Sequence, residues 1–150
     1  MNKKECINEL KVALPSYSVN ESAARAIVSA FCAALNPTAA EISDIRCAVS
    51  EAVTNCTVPA FRDVIGTVFV TVRLYADRTV KIEIKDKGCG IPDVPLALSP
   101  LFTTDPEGER SGMGFTVMEN FMDSVVIRSA VGKGTKLTMK KKLSQLPVKK

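Results

Sequence analysis

The 150-residue sequence contains no histidine. This excludes chemistry in which an imidazole moves a proton, binds zinc or accepts a phosphoryl group: Ser-His-Asp and Cys-His catalysis, HExxH zinc sites and phosphohistidine. The five cysteines (Cys6, Cys32, Cys47, Cys56, Cys89) are odd in number and never form CxxC, which argues against a disulfide framework or a zinc site. Long apolar runs are missing; none approaches the roughly 18 residues of a membrane span. No apolar stretch follows the opening Met-Asn-Lys-Lys-Glu-Cys, so an export signal is not indicated. A cytoplasmic chain with reduced, mainly structural thiols is expected. Acidic residues are absent from 140 to 150, where Lys140, Lys141, Lys142, Lys149 and Lys150 supply five positive charges. With a net charge of +4, the rest of the chain stands at −1. The surplus reads as a solvated tail, and neither direct nucleic-acid binding nor membrane binding is expected.

The composition itself, 46% apolar and 24% charged, is that of a globular protein. No repeat or linker divides the chain, so a single domain over 1–150 is expected. Residues 8–19 read as a Pro-broken edge strand. Asn20 offers a cap for a helix over 21–35, with Ala24, Ile27, Val28, Phe31 and Leu35 on one stripe. Thr38-x-x-Glu41 is a capping box for a second helix, whose stripe of Ile42, Ile45, Val49, Ala52, Val53 and Cys56 runs up to Pro59. Val-, Ile- and Thr-rich strands are expected over 66–75 and 79–86, then over 124–129 and 135–141 after a helix at 115–121. The arrangement is an α+β two-layer sandwich, a mostly antiparallel mixed sheet with helices on one face.

Three patterns could carry chemistry. Glu51 and Asn55 lie one helical turn apart on the flank of the second helix, a carboxylate able to take a proton beside an amide oxygen suited to Mg²⁺. Asp86-Lys-Gly88-Cys-Gly90 places a carboxylate at a strand end where backbone can approach a ligand. Ser111-Gly112-Met113-Gly114 enters a helix as a second Gly-rich turn, although neither GxxxxGK[ST] nor GxGxxG is present. Residues 87–114 hold five of the eight glycines and four of the eight prolines, an irregular stretch long enough to suggest function. Singly, each pattern is equally at home on a solvated helix flank or in an ordinary turn.

In this order, and followed by Gly134-Thr135, the patterns resemble the GHKL (Bergerat-fold) ATPases, the family of gyrase, Hsp90, histidine kinases and MutL. Longer stretches are similar to its sporulation anti-sigma serine kinases: Ser50-Glu-Ala-Val-Thr-Asn55, Pro100 to Phe115, Met118-Glu-Asn-Phe-Met-Asp123, Asn20-Glu-Ser-Ala-Ala-Arg25 and Leu35-Asn-Pro-Thr38. The resemblance implies that Asn55 holds Mg²⁺ and that Glu51 is the base acting on the attacking hydroxyl. It implies that Asp86 accepts from the adenine amino group of ATP or ADP, with Gly88 and Gly90 at the base and the Thr135 hydroxyl nearby. Residues 100–111 would form a lid. Thr103, Thr104, Ser111, Gly112, Met113 and Gly114 would line the phosphates, and Arg110 would meet the γ-phosphate. Arg25 would contact partners, namely a sigma factor and an anti-anti-sigma protein phosphorylated on serine, within a homodimer. One departure is Pro59-Ala60-Phe61, where the sporulation kinases run His-Gly-Tyr. Proline there removes an N–H donor. It favours the alternative of a nucleotide-dependent partner switch without useful transfer, whereas Glu51 and Arg110 favour the kinase.

Overall fold

A computed structural model describes residues 5–55, 65–86, 114–130 and 134–144. Its elements are β1 (Cys6–Pro15), α1 (Asn20–Cys32) with a 3-10 turn (Ala33–Leu35), α2 (Ala39–Asn55), β2 (Thr67–Tyr75), β3 (Thr79–Asp86), α3 (Gly114–Phe121), β4 (Ser124–Ala130) and β5 (Gly134–Lys142). The strands form one five-stranded sheet in the order β1-β2-β3-β5-β4, antiparallel at every described pairing. β1 is an edge, as its Pro15 and partial alternation foretell.

Strand alternation sorts the sheet into two faces. Val68, Val70, Val72 and Leu74 of β2, Val80, Ile82 and Ile84 of β3, and Leu137 and Met139 of β5 point to one side and are buried. The helices supply the other half of that core through Ala24, Val28 and Cys32 of α1, Ile45, Ala48, Val49, Ala52 and Val53 of α2, and Met118 of α3. Burial pushes the Cys32 thiol up to about 12, so it stays protonated and behaves as a small apolar side chain.

The helix ends have identifiable causes. α2 opens on the capping box read from the sequence: Thr38 N–H donates to Glu41 Oε1 at 2.9 Å, and Glu41 N–H donates to Thr38 Oγ1 at 3.1 Å. Asn36, at φ 51°, closes the 3-10 turn in the left-handed region that Asn tolerates. Asn20 differs from its expected role. It is the first residue of α1, entered through a turn over residues 17–20, and its amide donates to the Pro15 carbonyl at 2.8 Å instead of capping.

The lysines of the supposed tail also differ from expectation. Lys140, Lys141 and Lys142 are the last residues of β5. Lys141 falls on the core-facing parity and reaches out to the Phe121 carbonyl at 2.7 Å and to Asp44 at 3.4 Å, tying the strand to α3 and α2. Lys140 and Lys142 are exposed on the opposite side of the strand.

Glu41 links α2 to the segment after β5, because its Oε2 accepts from Ser144 N–H at 2.7 Å. Desolvation raises the pKa of this carboxyl, but the hydrogen bonds from Thr38 and Ser144 outweigh it and hold the group below its ordinary 4.5. A depressed carboxyl stabilises the fold above its unfolded pKa, and that contribution fades as pH falls through the folded value. Glu41→Gln, which keeps a capping oxygen and loses the charge, should therefore be less stable than the parent at pH 7, by about 0.3–1 kcal/mol. In urea titrations the gap should narrow below pH 4.5; a gap constant from pH 7 to pH 3 would refute the assignment.

Candidate functional site

Asp86 ends β3 on the same face as Val80, Ile82 and Ile84, and it is only 2% exposed. Among the described residues it is the one charged side chain in the buried set. Its cross-strand partner on β2 is Val68, and on β5 it is Thr135. Directly opposed side chains in an antiparallel pair have Cβ atoms about 5 Å apart, so the carboxylate and the hydroxyl are immediate neighbours on the helix-facing side. Both already have polar or electrostatic partners. A buried carboxylate is costly unless such partners hold it, and it serves as an acceptor fixed in position. The sequence places Asp86 and Thr135 49 residues apart; the β3–β5 register brings them together.

Glu51 and Asn55 occupy the last two turns of α2, both half-buried on its flank beside the buried stripe. Glu51 lines a cavity of about 580 Å³ between α1, α2 and the end of α3. Arg25 of α1 lines it too. Its Nη1 donates to Ser50 Oγ at 3.3 Å and to Glu21 Oε1 at 3.4 Å, while its Nε is buried without a partner among the described residues. The guanidinium thus bridges α1 to α2 beside Glu51 and is less free than its flank position suggested; the side chain is 36% exposed.

The structure does not gather every expected residue into one chamber. Asn55, Asp86 and Thr135 are not among the residues lining that cavity. Gly114 is described as the first residue of α3. Gly88, Gly90, Thr103, Thr104, Arg110, Ser111, Gly112 and Met113, together with Pro59, lie outside the described residues.

Sequence reasoning missed four polar cavity residues: Ser43, Arg46, Cys47 and Ser50. The signal was present in the helical period. Ser43, Cys47, Glu51 and Asn55 form one row at four-residue spacing, and Arg46 and Ser50 form the adjacent one.

A bound Mg²⁺ can be tested against these residues. Among the described residues, no cluster of three or more Cys, Asp or Glu could cage a metal. Mg²⁺ in nucleotide sites is held by one or two side chains plus phosphates and water, which asks less of the protein. Asn55 fits that demand. Its Oδ1 is the atom that would meet the metal, while its buried Nδ2, a donor with no partner among the described residues, calls for an acceptor such as a phosphate oxygen. An orphaned buried donor costs about 1–3 kcal/mol, which favours a site completed by something further.

This sheet, with helices on one face and a carboxylate at the end of a central strand, is the architecture of a nucleotide-binding ATPase domain. A model of the histidine kinase-like ATPase domain matches residues 14–141. An anti-sigma F factor of Caldanaerobacter subterraneus is 50% identical over 135 residues, covering 89% of this chain and 93% of that protein. One from Clostridium acetobutylicum is 45% identical over 137 residues, covering 91% and 95%. Among solved structures, the RsbU and RsbW domains of a Mycobacterium tuberculosis protein superpose with a TM-score of 0.68 at 22% identity, over 93% of this chain and 33% of that one. The mycobacterial sensor histidine kinase MprB gives 0.55 at 14% identity, over 90% of this chain and 100% of that one. The chain belongs to the histidine kinase-like ATPase family and, within it, to the group of the anti-sigma F factors.

If Asp86 positions adenine, Asp86→Asn should weaken ADP binding about ten- to a hundredfold, the equivalent of one charge-assisted hydrogen bond of about 1.5–3 kcal/mol. Titration calorimetry reads this directly, and unchanged affinity would remove Asp86 from the site.

Proposed function

We propose that the chain is an ATP-binding anti-sigma factor that sequesters a sigma factor and phosphorylates a serine of an anti-anti-sigma protein. What carries the reading is Asp86: a carboxylate buried at the end of an apolar strand, next to Thr135, in a chain about 50% identical to anti-sigma F factors. In this reading the domain is a single unit over 1–150, cytoplasmic, and works as a homodimer. Among the described residues no helix is long and apolar enough to cross a membrane.

The chemistry follows from the placement of α2. Glu51 takes the proton of the substrate serine hydroxyl, whose oxygen attacks the γ-phosphorus of ATP as ADP leaves. Asn55 offers its amide oxygen to Mg²⁺, which when bound neutralises phosphate charge. Asp86 and Thr135 fix the adenine, with Gly88 and Gly90 allowing its approach. Thr103, Thr104, Ser111, Gly112, Met113 and Gly114 line the phosphates, and Arg110 meets the γ-phosphate. Arg25, which lines the same cavity as Glu51, contacts the partner.

Incubation with labelled ATP and the anti-anti-sigma protein should yield phosphoserine. Asn55→Ala should lose Mg²⁺-dependent ATP retention and transfer together. Glu51→Ala should retain ATP and slow transfer by a factor of about 10²–10⁴. If the parent yields no phosphoserine but still binds sigma factor in a nucleotide-dependent way, the non-catalytic switch favoured by Pro59 is the right reading.

Partner binding is separable from catalysis. Arg25→Glu should cost at least about 2 kcal/mol in sigma binding, roughly thirtyfold, because the reversed charge repels an acidic partner surface. ATP affinity should stay within about threefold, since the adenine contacts lie on β3 and β5. Pull-down and nucleotide titration on the same variant test both halves. Loss of both would make Arg25 a fold residue through its bridge to Ser50.

A further inference from the structure

The sheet face turned away from the helices carries two rows of cations in register. In one, Arg128 of β4 faces Lys136 of β5, and Lys136 faces Lys85 of β3. In the other, Lys140 of β5 faces Lys81 of β3, and Lys81 faces Arg73 of β2. Between the rows sits Glu83, within 4 Å of Arg73, Lys81 and Lys136. Lys85, Arg128 and Lys140 are exposed and make no ion pair with any described residue. These six cations meet two carboxylates, Glu83 and, at the β1 end of the second row, Glu9 at 2.6 Å from Arg73, a surplus of four on one face of a chain whose net charge is +4.

Like charges directly opposite one another destabilise a sheet. The Arg128–Lys136–Lys85 and Lys140–Lys81 oppositions therefore work against the fold, and core packing does not require them because they point away from it. The rows lie four residues apart, about 13 Å, and each spans about 10 Å across three strands. We infer that this face binds the phosphate backbone of double-stranded nucleic acid without regard to sequence. Lysine dominates it, whereas lysine is depleted from protein–protein interfaces, and nucleic-acid interfaces are the more polar and positive class. Single strands are gripped by stacking on successive aromatic platforms, and Phe69, opposite Lys85 and 38% exposed, is the one aromatic in either row. The inference does not depend on the kinase reading, since it uses no residue of the cleft.

The test is fluorescence anisotropy of the full chain with a labelled 20-base-pair duplex of arbitrary sequence, from 50 to 200 mM salt. About five to six released counterions predict a slope of log K against log salt near −5, a loss of about a thousandfold over that range. Lys85→Gln/Arg128→Gln/Lys140→Gln should flatten the slope by about 3 and weaken binding at 50 mM salt by at least tenfold, with circular dichroism and ADP affinity unchanged. Lys149→Gln/Lys150→Gln should leave duplex binding within about twofold of the parent if the face, not the tail, is the site. The inference is overturned if the duplex fails to bind at 50 mM salt, if the triple variant binds as the parent does, or if the tail variant abolishes binding. It is equally overturned if phosphatidylserine vesicles or polyglutamate bind the face more tightly than the duplex.

Discussion

The register of β3 against β5 decides what each face of this protein can do. Ile82 opposes Met139 and Ile84 opposes Leu137, all four at most 4% exposed. Burying each such side chain is worth about 1.5–3 kcal/mol, so the pairing is held by several kcal/mol of apolar burial alone. The same ladder then sets Asp86 opposite Thr135 on the helix side and Lys85 opposite Lys136 on the other. A slip of one residue would move every side chain to the wrong face, turning the lysines into the core and Asp86 out to water. The two oppositions are consecutive rungs of one ladder, and the apolar rungs beyond them fix both.

α2 supplies the second constraint. Its buried stripe docks on the sheet and its cap is fastened twice, to Thr38 and to Ser144, so its rotation about its own axis is not free. With the stripe inward, the four-residue row of Ser43, Cys47, Glu51 and Asn55 must lie along the flank facing α1 and α3. Arg25 completes that flank by bridging to Ser50. The position of Glu51 is thus a consequence of helix docking, and an arginine from the neighbouring helix lines the cavity it faces.

Much of this was legible in the sequence because it rests on local periodicity. The strand alternation, the capping box and the stripes of α1 and α2 are each written in spacings of two, three or four residues. Asp86 stood out by its place before two glycines. Pairings between distant segments were not legible, since no local rule says that residue 86 meets residue 135 or that Arg25 reaches Ser50. The lysines of β5 misled for the same reason. Read along the chain, Lys140 to Lys142 look like the start of a basic tail. Their strand parity, which separates Lys141 from its neighbours, appears only once β5 has a partner. Asn20 misled for a different reason: a turn and the Pro15 carbonyl claimed its amide before the helix could.

The rows of cations persist at a tolerable cost. Opposed like charges in a sheet are worth only tenths of a kcal/mol to about 1 kcal/mol each, against a total stability of about 5–15 kcal/mol for a domain. Glu83 offsets part of that, placed where it meets cations of both rows. It sits on the central strand β3, so it can serve Arg73 on one side and Lys136 on the other; an acid on an edge strand would reach only one neighbour. Glu9 does that lesser task for Arg73 from the edge strand β1, accepting from Arg73 Nε and out of reach of the cations of β4 and β5. The uncompensated charges accordingly collect at Lys85 on the central strand and at Lys140 and Arg128 on β5 and β4, beyond the reach of Glu9. Compensation graded across the sheet in this way leaves the fold secure and the field of the face open at one end.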